Sequence, residues 1–134
     1  ITVHAYINDE YLTSYEADGL VMATPTGSTA YSLSVGGPII APDAHNFVIA
    51  AIAPHSLGDR PLVITDDSII TFDVESRNNS FLISLDGRSN VFQAGTKLTV
   101  KKADFTLQVL KRKDNTFYKT LRNKLMWGVD PRQS

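Results

Sequence analysis

Between Asp18 and Ile40 the chain gathers hydroxyls, glycines and one aromatic ring. Leu20 to Ala23 is a short apolar run that reads as a buried strand. Thr24-Pro25-Thr26-Gly27-Ser28-Thr29-Ala30-Tyr31 follows it. Pro25 fixes one backbone angle, and Gly27 is free to take a positive φ. Thr29-Ala30-Tyr31-Ser32-Leu33-Ser34 then starts a short helix with Ser28 or Thr29 as N-cap, and Gly36-Gly37-Pro38 stops it. A strand, a hydroxyl-rich turn and a helix start bring backbone N–H groups toward one point. The chemistry such a point suits is the holding of an anion or a ribose-phosphate.

By spacing alone this is not a P-loop, because no Lys follows a glycine in the required pattern. The three-glycine dinucleotide fingerprint is also missing. Ser28 is no nucleophile elbow, since Ala30 stands where a glycine is needed. A Thr- and Ser-rich β-turn capping a short helix is the plainer reading of the same residues. Elsewhere, His4 falls on the polar phase of its strand and reads as a solvated residue. His55 lies in a loop bounded by Pro54 and Pro61, either a site residue or plain surface. Asp86-Gly87 is ordinary hairpin chemistry. Lys111-Arg112-Lys113 reads as a solvated strand end rather than a phosphate contact.

The elements that must position these residues are mostly strands. Val3, Ala5 and Ile7 alternate with Thr2, His4 and Tyr6. Asn8-Asp9-Glu10 turns, and residues 11–15 return as a hairpin partner. Phe47 to Ala53 is a continuous apolar run, read as a strand buried on both faces. Leu62-Val63-Ile64 is a strand and Asp66-Asp67-Ser68 a turn. The second half reads as a run of hairpins: 69–74 with 81–85 about Arg77-Asn78-Asn79, a type I′ turn at Asp86-Gly87, and 96–102 with 105–110 about Ala103-Asp104. Asn78-Asn79-Ser80, formally a glycosylation sequon, reads as a polar hairpin tip. Asn115 or Thr116 caps a last helix whose Phe117, Leu121 and Leu125 share a face, widened by Tyr118 and Met126, with Trp127 adjoining and Gly128 ending it. The predicted fold is mainly β: a β-sandwich-like domain of antiparallel hairpins, with one short helix after the Thr-Gly-Ser loop and a C-terminal helix.

With 134 residues, 43% hydrophobic and 20% charged, the chain has the make-up of one globular domain. Its formal net charge of -1 gives no electrostatic case for nucleic acid or an anionic membrane. Zero Cys removes thiolate chemistry and Cys-based metal sites, and is compatible with a reducing cytoplasm. No apolar run reaches membrane-spanning length. The chain opens inside a strand pattern at Ile1, without Met, and is expected to be a fragment of something longer.

The literal string adds more. Asp18-Gly19-Leu20, Thr24 to Tyr31 and Gly36-Gly37-Pro38 together resemble the signature of the C-terminal domain of NAD kinases. Pro54-His55-Ser56-Leu57, Arg60-Pro61-Leu62-Val63, Asp86-Gly87 and Leu121-Arg122-Asn123-Lys124-Leu125 extend the likeness along almost the whole chain. The resemblance implies phosphoryl transfer from ATP to the adenosine-ribose 2′-hydroxyl of NAD, giving NADP, with Mg²⁺ or another divalent metal. The family's Gly-Gly-Asp-Gly loop and Asn-Glu motif are absent from these residues. No catalytic residue or metal ligand is therefore expected here, and the isolated piece is expected to be silent. The resemblance places Asp18, Thr26, Thr29, Ala30, Tyr31, Ser34, His55 and Asp86 along the dinucleotide. It also implies ATP bound through an N-terminal domain absent here, a terminal helix over residues 115–127 packed on that domain, and a homodimer or homotetramer in the cytoplasm. Two other readings stand beside it: a non-catalytic β-sandwich binding module for another ligand, and the equivalent domain of a related lipid kinase.

Overall fold

A computed structural model describes residues 1–125 and 127–128. The chain divides into two compact units, Ile1–Lys102 and Ala103–Ser134. The first carries nine strands: β1 (Thr2–Ile7), β2 (Glu10–Glu16), β3 (Gly19–Ala23), β4 (Asn46–Ile52), β5 (Leu62–Thr65), β6 (Ile70–Glu75), β7 (Ser80–Leu85), β8 (Arg88–Gln93) and β9 (Lys97–Val100). A 3-10 turn over Thr26–Thr29 and the short helix α1 (Tyr31–Ser34) follow β3.

The strands form a four-stranded sheet in the order β2-β1-β6-β9, a three-stranded sheet β3-β4-β5, and the β7-β8 hairpin. Every ladder is antiparallel. One core joins all three: Val3, Ala5, Tyr15, Ile70, Phe72 and Val74 come from the first sheet, Phe47 and Ile49 from the second, and Phe81 from the hairpin. This is the mainly β, sandwich-like arrangement expected from the short strands.

The alternation in β1 buries Val3 and Ala5 as its period requires. Asn8 and Asp9, at φ 51° and 66°, make the type I′ turn into β2. His4, on the other phase, is only partly exposed. Its Nδ1 lies 2.6 Å from Ser14 Oγ and its Nε2 lies 3.5 Å from Glu75. In β4, Phe47 and Ile49 face the shared core while the opposite-pointing Val48 and Ala50 are also buried. Asp86 and Gly87, at φ 49° and 86°, form the expected turn between β7 and β8. Asp66 accepts a bond from Lys102 at 3.0 Å, fastening the end of this unit to the β5–β6 turn.

Three expectations fail for physical reasons. Residues 69–74 and 81–85 are both strands, but they are not partners: β6 pairs with β1 and β9, and β7 with β8. Residues 105–110 form no strand, because β9 takes β6 as its partner and an alternating pattern without a ladder has no hydrogen bonds to hold it. Phe105, Leu107 and Val109 are exposed. Finally, β3 is half-buried throughout rather than buried, since it is an edge strand beside β4.

In the second unit, α2 (Phe117–Leu125) starts as expected. Thr116 Oγ1 accepts from Lys119 N–H at 3.1 Å, an N-cap bond. Gly128 takes φ 77°. No residue of α2 is buried, and Phe117 and Leu121 are half-buried. The place given to Met126 on that face lies outside the described residues. Among the described residues no helix is long and apolar enough to cross a membrane.

Candidate functional site

The loop that follows β3 has an inside and an outside. Ser28 and Ser32 are buried, whereas Thr26, Thr29, Ala30, Tyr31 and Ser34 are exposed. Five of the eight residues expected along the dinucleotide are thus presented from one loop. Tyr31 is 58% exposed, so its ring is not a core group. A ring face and three hydroxyls are chemistry for stacking on a base and bonding to a sugar or phosphate.

The sequence predicts free backbone donors here, and the structure differs. Gly27 N–H bonds Thr24 Oγ1 at 3.2 Å, Ser28 N–H bonds Pro25 O at 3.2 Å, and Ala30 N–H bonds Gly27 O at 3.1 Å. The turn satisfies these donors itself, so its side chains carry the chemistry. Gly27 lies in the 3-10 turn without a positive φ. The N-cap of α1 is Ala30, with no side-chain cap bond, rather than Ser28 or Thr29. Ser28 is unavailable because its hydroxyl bonds Pro25 O at 2.6 Å. The glycines do stop the helix as expected. Gly36, at φ 87°, donates to Leu33 O at 3.1 Å, and Gly37 to Ser32 O at 2.8 Å, a Schellman pair.

A second group assembles at the other end of β3. Asp18 is exposed in the turn between β2 and β3, and its N–H bonds Ile52 O at 2.9 Å. His55 N–H bonds Glu16 O at 2.8 Å. These two bonds bring Asp18 and His55 to the same sheet end. On β2, Tyr15 is buried in the shared core, and its hydroxyl pKa is raised above 10.0 by burial and then by the charge of Asp59. In the chain, Ala53 follows Ile52 and precedes Pro54-His55, and it stands at φ 48°. A left-handed alanine is strained, of order 1–3 kcal/mol, and such strain gathers at working sites. Nothing in the sequence signals it, since Ala is not a turn residue. Asp86 stands at the tip of the β7–β8 hairpin, exposed, and among the described residues shares no hydrogen bond or ion pair with either group. Among the described residues no three His, Cys, Asp or Glu side chains converge as metal ligands.

A family model described as the ATP-NAD kinase C-terminal domain matches residues 1–112. An NAD kinase of Cytophaga hutchinsonii is 53% identical over 132 residues, which is 98% of this chain and 45% of that protein. An NAD kinase of Bacteroides fragilis is 54% identical over 132 residues, 98% of this chain and 46% of that protein. The chain therefore spans about half the length of these curated relatives. The crystal structure of a yeast NADH kinase complexed with NADH matches with a TM-score of 0.88 at 27% identity, over 99% of this chain and 42% of that one. An NAD kinase from Archaeoglobus fulgidus in complex with ATP matches with a TM-score of 0.70 at 28% identity, over 78% of this chain and 40% of that one.

Proposed function

The chain belongs to the NAD kinase family as its C-terminal domain, and on that footing we propose that it is the dinucleotide-holding part of an enzyme that phosphorylates NAD. The observation that carries this reading is the two-sided loop after β3. Buried Ser28 ties it through its hydroxyl, while Thr26, Thr29, Ala30, Tyr31 and Ser34 are all exposed. Tyr31 supplies a ring for the base, and the hydroxyls bond ribose and phosphate oxygens. Asp18 accepts bonds from ribose hydroxyls, and His55 supports it from the same sheet end. Asp86 serves the far end of the dinucleotide.

ATP is the phosphoryl donor, held with the reactive apparatus by sequence this chain does not contain. The resemblance implies Mg²⁺ or another divalent cation. Among the described residues no group of three His, Cys, Asp or Glu side chains would hold one. What this domain contributes is orientation: holding NAD so that its 2′-hydroxyl meets the donor. The protein acts as a homodimer or homotetramer in the cytoplasm, and α2 packs its Phe117–Leu121 face on the part of the protein absent here.

The test is NADP formation by the complete protein with NAD, ATP and Mg²⁺, run beside thermal unfolding with and without NAD. Activity and an NAD-dependent rise in midpoint are expected, both lost in Asp18→Asn and Tyr31→Ala. A complete, folded protein that forms no NADP and gains no stability from NAD would falsify the reading.

A further inference from the structure

We infer that Ser28 is a positioning residue for the dinucleotide loop, a role that rests on the reading of that loop given above. Ser28 has no exposed surface, so its hydroxyl does not itself meet a ligand. It donates to Pro25 O at 2.6 Å and accepts from Ile40 N–H at 3.0 Å. Ile40 O lies farther, at 3.5 Å, and a single O–H proton goes to the nearer carbonyl.

The bond from Ile40 spans twelve residues. It closes the stretch from the 3-10 turn to Ile40 into a compact loop whose ends meet on one oxygen. Within that closure the returning backbone lies directly against α1. A Cβ built on Gly37 would fall 2.3 Å from Ser32 Oγ and 2.7 Å from Ser32 O. The entry at Pro25 and the exit at Ile40 are therefore tied to one buried group. Thr29, Ala30, Tyr31 and Ser34 lie inside the tied stretch, and Thr26 lies between Pro25 and Ser28. Without the hydroxyl, Pro25 O and Ile40 N–H lose that shared partner, and the loop samples other arrangements. Dinucleotide binding must then order the loop as well as fill it, which weakens affinity while leaving the bound geometry intact.

The test uses the complete protein and Ser28→Ala. The dissociation constant and KM for NAD are expected to rise about tenfold, the weight of one net hydrogen bond. The kcat at saturating NAD and the KM for ATP stay within twofold, a split that general destabilisation does not produce. Amide exchange at Ile40 is expected to be slow in the wild type, slower still with NAD, and fast in Ser28→Ala. Ser28→Ala with unchanged NAD affinity overturns the role. Should that variant not fold, the wild type decides alone: an Ile40 amide that exchanges as fast as an open loop while NAD still binds overturns the role of Ser28 by itself. A wild type that binds no NAD overturns the dinucleotide reading, and the role of Ser28 with it.

Discussion

A methyl group at Gly37 would press on Ser32 Oγ at 2.3 Å and on the Ser32 carbonyl oxygen at 2.7 Å. Backbone cannot yield as a flexible side chain does, so Gly37→Ala is expected to cost about 1–3 kcal/mol in urea unfolding. Gly27 differs. A Cβ there finds Ala23 Cβ and Thr24 Oγ1 at 3.6 Å, ordinary contact, and its φ is not positive. The fold does not require glycine at that position. Gly27→Ala is expected to hold or slightly raise the unfolding midpoint, since alanine is favoured by up to about 1 kcal/mol in helical backbone. NAD affinity by calorimetry is expected to fall if the ligand approaches that backbone closely. Unchanged affinity would move the ligand away from Gly27. Tyr15 gives a third test. Its folded pKa lies above the unfolded value of 10.0, burial being the larger cause and Asp59 the smaller. Its contribution is whole below pH 10.0 and is lost as pH rises from there through the folded pKa. Stability therefore falls with alkalinity above that point. In Tyr15→Phe this decline is expected to flatten in guanidinium titrations run from neutral to alkaline pH.

At the scale of elements, β4 is buried on both sides, with Ile49 fully enclosed. Ile49→Ala is expected to cost about 2–5 kcal/mol in urea. Val63→Thr, on the exposed side of β5, is expected to stay within about 0.5 kcal/mol. β4 was legible in the sequence because seven apolar residues in a row leave few alternatives. The hairpin at Asp86-Gly87 was legible because that dipeptide takes left-handed φ readily. The partners of β6 were not legible. Its ladders run to β1 and β9, far along the chain, and local patterning carries no term for a distant edge. Residues 105–110 misled for the converse reason: they have the alternation of a strand and lack its ladder. In the loop, hydroxyl residues were visible as a group. Which of them face inward was not, because Ser28 and Thr29 look alike until Ile40 returns to bond one of them.

For the whole molecule, the two groups of candidate residues leave β3 from opposite ends. Five extended residues place those ends about 16 Å apart. A homo-oligomer can build each site from Asp18 of one copy and Tyr31 of another. In that case Asp18→Asn and Tyr31→Ala, each impaired alone, regain NADP formation when co-expressed, because mixed assemblies contain one intact pair. No recovery in co-purified mixtures would place both residues of a site in one copy.

Phe105-Thr106-Leu107-Gln108-Val109-Leu110 meets the description of a segment prone to cross-β stacking: six residues, uncharged, without proline or glycine, their apolar side chains open to solvent. Handling of the purified domain should be governed by this short run more than by its folded core. A recombinant version ended at Lys102 is expected to remain dispersed at concentrations where the longer one turns cloudy.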